Sequence, residues 1–487
     1  MAVRETPAEH IERLLNAQDP VAAARVAGEI LEKAPMSFLG NLGRCRAYFQ
    51  LGRVIEAERA LDLALSASPN DARALFLRAM GYIRHGLADT GIARLRSLTS
   101  SNEPIATEAM LALLDVLYQT NQGAELTALV GGGGVWAADP RASIHRARVE
   151  ALTDPASAAQ SLRTILRSAL PLPVRRIAGF EAAGHLDKLG DYRAAFDIAR
   201  ETHTTTDGDF DIDGLLRPLQ AQRALVEKGV NWITPRAPRV EGVAMIVSLP
   251  RSGTTLLEHM LDLHPAISGI GEFDGVRAIS VNLDSTGRWP RAAGSIPPEL
   301  YAYAQALYLE GSHRIRRPGA SWTFDKSLRT WRALPEIAAV LPGAVCISVD
   351  RDPRDLATSA FLSYFASGGV PWTASFSSMR RVIEAQRALG SRAMQVLNIA
   401  HESIIYEDLV KDPAKHAARC LALMNLPMDP RVLSPEENTR AAITLSALQV
   451  RKPINRSSIG RWKNYEWAFD SSWDALVDEH ASKLASS

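Results

Sequence analysis

The segment AMIVSLPRSGTTLLEHMLDL, residues 244–263, holds the features that determine the fold of the C-terminal half. Its first part, Ala244–Leu249, is a compact apolar run that is typical of a buried parallel strand. Its last part, Leu256–Leu263, has the apolar spacing of a helix, and a short polar loop lies between the two. A second run of the same strand-like character is Val345–Val349. The order strand, loop, helix predicts an α/β fold with a parallel sheet.

The loop Leu249–Thr255 has the chemistry of a phosphate-binding turn. Gly253 permits a tight turn in which backbone N–H groups converge, and the helix that follows adds the positive end of its dipole. Arg251 supplies a positive charge, while Thr254 and Thr255 offer hydroxyl donors. A nucleotide triphosphatase would need the spacing G-x-x-x-x-G-K-[ST], and its lysine is missing here. The loop therefore disfavours a kinase-like or hydrolytic magnesium enzyme.

A second anion site is predicted after the strand Val345–Val349. This strand runs into Asp350-Arg-Asp-Pro-Arg354, and Ser359 follows on what should be the next helix. Arginine binds phosphate oxygens through a fork of N–H donors. An arginine after a buried strand also commonly forms a surface ion pair. This motif therefore indicates an anion site only in combination with the loop Leu249–Thr255.

Several segments resemble motifs of the sulfotransferases that use 3′-phosphoadenosine-5′-phosphosulfate (PAPS). Pro250–Thr255 resembles their 5′-phosphosulfate loop, and Arg351–Ser359 resembles their 3′-phosphate motif. Tyr406–Val410 resembles their Tyr-Glu-Asp-Leu segment, whose tyrosine approaches the nucleotide. Ser446–Asn455, followed by Gly460-Arg-Trp462, resembles the segment that closes over the cofactor. The resemblance covers roughly residues 243 to 466 and implies sulfuryl transfer from PAPS to an acceptor hydroxyl without a metal.

The same resemblance implies a role for each matching residue. Arg351 and Ser359 would hold the 3′-phosphate, the first loop would hold the 5′-phosphosulfate, and Ser446 would complete the site. The residues implied to bind the cofactor are Arg251, Ser252, Gly253, Thr254, Thr255, Arg351, Ser359, Tyr406 and Arg461.

Catalysis needs a base for the acceptor and a cation for the leaving group. A tyrosine phenol, with a pKa of about 10, is helped by a positioned carboxylate as it attacks sulfur. Glu272 lies where the resembling enzymes place their catalytic glutamate, and Asp274 is the competing carboxylate. Lys326 lies where they place the lysine that contacts the bridging oxygen, and a cation there lowers the barrier to S–O cleavage. Ser446 would assist Lys326 at the leaving phosphate.

The N-terminal half, from about residue 8 to 230, carries alanine and leucine at helical spacing and predicts a nearly all-helical structure. Residue types recur at an offset of 34, as in Pro35 and Pro69, Gly52 and Gly86, Tyr48 and Tyr82, and Leu61 and Leu95. This period resembles the tetratricopeptide repeat, whose helix pairs stack into a superhelix. Leu189–Tyr192 resembles a later copy of the same turn. We expect five or six helix pairs.

The pattern changes at Thr234–Glu241, a short polar stretch with two prolines. We therefore expect two domains, a tetratricopeptide-like helical repeat domain over residues 8–232 and a PAPS-dependent sulfotransferase domain over residues 240–487. The predicted fold class is an N-terminal all-α tetratricopeptide-like superhelix followed by an α/β, P-loop-like sulfotransferase domain with a parallel sheet.

The acceptor is indicated by resemblance. The C-terminal closing segment favours the tyrosylprotein sulfotransferases, and repeat arrays commonly bind peptides, so we expect a tyrosine of a peptide or protein held by the repeat domain. The family commonly follows the lysine with Met-Pro-x-Asn, whereas this chain has Ser327-Leu-Arg-Thr330. A carbohydrate, a lipid or a small phenol therefore remains an alternative acceptor. A second alternative is an inactive repeat scaffold with a nucleotide-sensing domain. The analogy also implies a homodimer.

Composition restricts the other partners. The 55 basic and 54 acidic residues leave a formal charge of +1, which does not suit a general nucleic-acid surface. Three widely spaced cysteines fit neither a disulfide framework nor a metal site, and they indicate a reducing compartment. The N-terminus lacks a leader pattern, and no apolar run approaches the roughly 20 residues of a membrane span. We expect a cytoplasmic protein without nucleic-acid or membrane partners.

Overall fold

The computed structural model describes residues 5–100, 104–206, 210–365, 370–438, 440 and 452–486. Up to residue 227 the described chain forms helices and no strands, which confirms the all-helical prediction for the N-terminal half. These helices, which we call the helical region, are α1 (Pro7–Asn16), α2 (Pro20–Lys33), α3 (Phe38–Gln50), α4 (Val54–Ala67), α5 (Ala72–Arg84), α6 (Ala88–Thr99), α7 (Ile105–Gln119), α8 (Gly123–Gly132), α9 (Ala142–Glu150), α10 (Pro155–Leu166), α11 (Leu172–Lys188), α12 (Tyr192–Thr206) and α13 (Ile212–Glu227).

The 34-residue offset of the sequence reappears in the helix boundaries. Helices α3 and α5 begin 34 residues apart and end 34 residues apart, and consecutive helices from α1 to α12 pack against each other before α13. A residue with positive φ closes the turn within a pair, with φ of 74° at Gly52, 79° at Gly86 and 83° at Gly190. Asn121 takes this position with φ 60° after α7. Because asparagine there replaces the glycine that adopts this conformation at least cost, the repeat is hard to see in that part of the sequence.

The rest of the described chain is an α/β region. Its strands are β1 (Val243–Ile246), β2 (Ile267–Gly271), β3 (Trp322–Asp325), β4 (Val345–Asp350) and β5 (Ala400–Ile405). Its helices are α14 (Thr254–Asp262), α15 (Gly275–Asp284), α16 (Pro298–Ile315), α17 (Leu334–Val340), α18 (Pro353–Phe361), α19 (Phe376–Val396), α20 (Tyr406–Lys411), α21 (Pro413–Leu423) and α22 (Asp474–Ser486). Among the described residues, no helix combines the length and apolarity needed to cross a membrane.

The five strands form one parallel sheet in the order β2-β3-β1-β4-β5, which confirms the predicted parallel sheet. The chain leaves β1 toward β2 on one side and later crosses to β4 on the other side. In such sheets ligands bind beyond the carboxyl ends of the strands, at the point where the strand order reverses. The fold therefore directs attention to the loops that follow β1 and β4.

Strand β1 ends three residues earlier than the sequence indicates, at Ile246 rather than Leu249. The Val247 N–H still donates to the Ile347 carbonyl at 2.9 Å, but the next hydrogen bond uses a side chain. The Val349 N–H donates to the Ser248 hydroxyl at 2.6 Å. This hydroxyl replaces a backbone partner, so the main chain of β1 is released to form the turn that follows.

The helical region packs directly on the α/β region. One hydrophobic cluster contains Ile55 of α4 together with Phe273 and Tyr308 of the α/β region. Around it, Arg59 Nε lies 3.0 Å from Glu310 Oε1 on α16. The two regions therefore share buried surface beside the loop that follows β2.

Candidate active site

Predicted site residues lie beyond the carboxyl ends of all five strands. Arg251 follows β1, Glu272 follows β2, Lys326 follows β3, Arg351 follows β4 and Tyr406 follows β5. Parallel strands place their carboxyl ends at one edge of the sheet, so residues from five distant sequence positions lie at the edge where sheets of this kind form their ligand crevice.

The loop after β1 is shaped by close contact with Tyr406. Gly253 has φ 100°, and a Cβ at this position would collide with the ring of Tyr406. Arg251 also adopts positive φ, 72°, which costs a non-glycine residue about 1 kcal/mol. The loop therefore accepts backbone strain in order to turn sharply between β1 and α14.

The hydroxyl residues of the loop close the turn and begin the helix. Ser252 is fully buried and its hydroxyl donates to the Leu249 carbonyl at 2.8 Å. Thr254 and Thr255 are the first two residues of α14, so the unpaired N–H groups of the first helical turn lie at the loop. Strand, loop and helix follow in the predicted order.

Two arginines lie together beside this loop. The Arg251 Nε donates to the Ser359 hydroxyl at 2.9 Å, and an Nη1 of Arg351 donates to the Arg251 carbonyl at 2.9 Å. The Arg351 guanidinium lies 4.7 Å from the ring centre of Tyr406. Burial, together with the positive charges of Arg351 and Arg461, lowers the pKa of Arg251 to about 10. The arrangement concentrates positive charge where a phosphate would compensate it.

Arg351 has unused hydrogen-bonding capacity. Its Nε is buried and has no hydrogen-bond partner among the residues that the structure describes. The nearest carboxylate, Asp355 Oδ2, lies 3.8 Å from its Nη2. A buried N–H of a charged group without a partner is costly, so an acceptor from outside the described chain would stabilise this site.

A stretch near the C-terminus, residues 456–468, lies against these arginines, and we call it the C-terminal segment. Nη2 of Arg351 donates to the Ser458 carbonyl. The carboxylate of Asp355 accepts from the Gly460 N–H at 2.6 Å and from the Trp462 N–H at 2.9 Å. Arg461, predicted to bind the cofactor, forms an ion pair with Asp187 of the helical region at 2.5 Å. Its charge still acts on Arg251.

The two predicted catalytic groups form an ion pair. Lys326 Nζ lies 2.8 Å from Glu272 Oε1, and the Lys326 N–H donates to the Gly271 carbonyl at 2.9 Å. The lysine side chain is 3% exposed, whereas that of Glu272 is 38% exposed. The carboxylate thus faces solvent and the ammonium faces the interior, which suits a base that meets an acceptor and a cation that meets a buried leaving group.

Asp274, the competing base, is engaged elsewhere. Its carboxylate lies 3.3 Å from Arg277, and its backbone N–H donates to the Ser327 hydroxyl at 2.9 Å. That hydroxyl in turn donates to buried Asp325, whose pKa is raised to about 6 by burial. Ser327 thus ties the loop of Glu272 to the end of β3. The sequence signal for this role of Ser327 was that Ser-Leu, and not Met-Pro, follows Lys326. From the sequence, we interpreted that difference only as a sign of a different acceptor.

Residues 244–430 match the model of the Sulfotransferase family. This part of the chain is a sulfotransferase-family domain. The match begins within β1, and the helical region lies outside it. From here on we call the α/β region the sulfotransferase domain.

Relatives of known sequence include protein-tyrosine sulfotransferases. Protein-tyrosine sulfotransferase 1 of Danio rerio is 28% identical over 264 residues, which cover 50% of this chain and 72% of that protein. Protein-tyrosine sulfotransferase 2 of Gallus gallus is 24% identical over 264 residues, 51% of this chain and 70% of that protein. An uncharacterized protein of Aquifex aeolicus is 26% identical over 355 residues, 68% of this chain. The chain spans 45% of the length of the Aquifex protein.

Solved structures similar to this chain include two sulfotransferase domains. The sulfotransferase domain from the Curacin biosynthetic pathway is 19% identical, with a TM-score of 0.34, over 51% of this chain and 99% of that domain. The sulfotransferase domain from the Synechococcus PCC 7002 olefin synthase is 20% identical, with a TM-score of 0.31, over 49% of this chain and 96% of that domain.

The sulfotransferase domain carries further arginines that interact with Asp274. Burial and the positive charge of Arg277 lower the pKa of Arg329, and burial and the charge of Arg329 lower that of Arg332. Arg84 of the helical region also interacts with the charge of Asp274. Arginines of both regions therefore act on Asp274, two residues after the predicted base.

Two predictions remain, the role of Ser446 and catalysis without a metal. Ser446, predicted to assist Lys326, lies outside the described residues of the sulfotransferase domain. Within the ranges that are described, no group of three or more metal-ligating side chains lies close enough together to hold a metal ion.

Proposed function

We propose that this protein transfers the sulfuryl group of PAPS to an acceptor hydroxyl. The observation that carries this proposal is the pairing of Arg251 and Arg351 beside a glycine loop, one strand away from the Glu272–Lys326 ion pair. The first pair suits an anionic donor, and the second supplies a base and an acid at the same edge of the sheet.

The residues of the crevice fit the donor. The unpartnered Nε of Arg351 and the cationic environment of Arg251 suit an anion. Arg251 to Thr255 would hold the 5′-phosphosulfate, while Arg351 and Ser359 would hold the 3′-phosphate. When bound, PAPS supplies an activated sulfuryl group with a phosphate as its leaving group.

The catalytic pair would divide the work between acceptor and leaving group. Glu272 accepts the proton of the attacking hydroxyl at its carboxylate, which its exposure to solvent allows. Lys326, with its ammonium buried at the end of β3, would supply a cation for the negative charge of the leaving group when the donor is bound. Ser327 supports both roles because it fixes the separation of the two loops.

The acceptor that we propose is a tyrosine of a peptide or protein. The relatives named as protein-tyrosine sulfotransferases support this choice at 24–28% identity over part of the chain. The arginines around Asp274 support an acceptor with acidic neighbours, since each would gain a carboxylate partner.

The test is transfer of radiolabelled sulfate from PAPS in the presence of a metal chelator. The acceptors are tyrosine peptides with acidic or neutral flanks, the same peptides with phenylalanine for tyrosine, simple phenols and oligosaccharides. We expect label on acidic tyrosine peptides and not on the phenylalanine versions.

Two variants test the assignment of the base. We expect Glu272→Gln to lower the transfer rate on the order of 10²- to 10⁴-fold, as the loss of a general base does, while calorimetry shows unchanged binding of 3′-phosphoadenosine 5′-phosphate (PAP). The matched control is Asp274→Asn, in which the neighbouring carboxylate is removed and transfer should persist. Label on sugars or phenols alone would contradict the peptide acceptor, and failure of the wild-type chain to bind PAP would contradict the proposed function.

A further inference from the structure

A carboxylate of the helical region touches the nucleotide crevice. Asp187 lies in the last turn of α11, just before the Gly190 turn that leads to α12. One of its oxygens accepts from Nη2 of Arg461 at 2.5 Å, and the other accepts from the Tyr465 hydroxyl at 2.6 Å. A single side chain of the helical region therefore binds two residues of the C-terminal segment.

The burial and packing of Tyr465 stabilise its hydrogen bond to Asp187. Tyr465 is fully buried, and burial with the neighbouring carboxylate raises its pKa, so its hydroxyl remains a donor. Its ring packs edge-on to Tyr192 with centroids 5.6 Å apart, and Phe196 lies nearby on α12. A carboxylate in the last turn of a helix is unfavourable with respect to the helix dipole. The hydrogen bonds of Asp187 to Arg461 and Tyr465 offset that cost.

The C-terminal segment is also bound to α18, the helix that follows Arg351. Asp355 accepts from the N–H groups on either side of Arg461, those of Gly460 and Trp462. Arg354 stacks on the Trp462 ring at 3.5 Å from its centre. Arg461 is thus held at its backbone by α18 and at its guanidinium by α11.

We propose that Asp187 is a positioning residue of the nucleotide site, which fixes Arg461 so that its charge acts on the crevice of Arg251 and Arg351. The helical region would then contribute to donor binding and not only to contacts with the acceptor. This inference rests on the proposed function, because it assumes that the crevice binds PAPS.

The experiment is a double-mutant cycle on the full-length chain with PAP as the ligand, measured by calorimetry. We expect Asp187→Ala and Arg461→Ala each to weaken PAP binding about tenfold, since a charge-assisted hydrogen bond contributes on this scale. If Asp187 acts through Arg461, the double variant binds PAP no more weakly than Arg461→Ala alone. Asp187→Glu, which keeps the carboxylate, should recover most of the lost affinity.

The matched control is Glu201→Ala. Glu201 is a carboxylate of the same region whose ion-pair partner is Arg167, at 2.7 Å within the helical region, so its loss should leave PAP affinity unchanged. Circular dichroism of every variant excludes unfolding as the cause. Two outcomes would overturn this inference without affecting the proposed function. One is equal PAP affinity of wild type and Asp187→Ala, and the other is a further tenfold loss when Asp187→Ala is added to Arg461→Ala. Absence of PAP binding by the wild type overturns the proposed function as well.

Discussion

At the scale of single residues, the crevice is defined by features that cost stability. Arg251 adopts a left-handed backbone conformation and lies beside a second guanidinium, and Arg351 leaves an N–H without a partner in the described chain. Strained and unsatisfied groups persist in folded proteins mainly where a ligand uses them. These local costs are the physical reason to locate the donor between β1 and β4.

Gly253 provides a test at this scale. We expect Gly253→Ala to abolish PAP binding, because the added methyl group collides with the Tyr406 ring and displaces the loop. The matched control is Gly229→Ala, which has a similar positive φ of 67° and open space around the new methyl group. Both variants should lose about 1 kcal/mol of stability from backbone strain. Binding of PAP to Gly253→Ala with wild-type affinity would contradict this geometry of the loop.

At the scale of elements, helices support the loops of the site through ion pairs and hydrogen bonds to the residues beside them. Helix α22 packs behind the ends of β4 and β5, where His480 Nε2 lies 3.3 Å from Glu407 and Nδ1 lies 3.9 Å from Asp350. Arg387 of α19 donates to Asp350 at 2.8 Å and lies 3.4 Å from the same imidazole. Because Arg351 and Tyr406 are the immediate neighbours of these acids, α22 supports the arginine side of the crevice.

This packing predicts a dependence of stability on pH. Burial alone would lower the pKa of His480, but the carboxylates of Asp350 and Glu407 outweigh it and raise the pKa to about 9. A folded-state pKa above the unfolded value of about 6.5 means that the stabilisation is complete below pH 6.5 and is lost as the pH rises toward 9.

The measurement compares the thermal midpoints of wild type and His480→Gln from pH 6 to pH 10. The wild type should unfold at a higher temperature at pH 6, and the difference should shrink through pH 9. A difference that stays constant over this range would show that the imidazole is not charged in the folded protein.

At the scale of the whole molecule, the helical region and the sulfotransferase domain share a core. Ile55 of α4 and Phe273, next to Glu272, meet at Gly311 of α16, where an added Cβ would come within 2.8 Å of both. Asp187 makes a further connection, at the C-terminal segment, and α13 packs on α19. Contacts at several separate places favour unfolding of both regions as one unit.

A pair of helix glycines tests this. Gly311→Ala should destabilise the chain by about 1–3 kcal/mol because it overpacks the shared core, and Gly184→Ala should stabilise it by about 0.5–1 kcal/mol because α11 gains a better helix former in open space. Scanning calorimetry should show a single transition that both variants shift in opposite directions. Two transitions, each moved by only one variant, would mean that the regions unfold independently.

Local sequence was sufficient for the helical character of the N-terminal half and for two of the five described strands. The strand, loop and helix around Arg251 follow from residues adjacent in the chain, because the turn that Gly253 permits and the apolar runs on both sides act over a few positions. The 34-residue period identifies the helix pairs for the same reason, except where Asn121 replaces glycine. The roles of Glu272 and Lys326 came from resemblance to a family, and their assignment awaits experiment.

Only the tertiary structure determined which of these residues meet. Arg461 was expected at the cofactor and is paired with Asp187, 274 residues earlier, and Ser327 bonds to the backbone of Asp274, 53 residues earlier. No local pattern encodes such pairs, because each depends on how helices and strands pack after they form. The sequence by itself determined the helical half, the strand, loop and helix around Arg251 and the chemistry available to them, since these arise from neighbouring residues, whereas the partners of each charged side chain were decided by long-range packing.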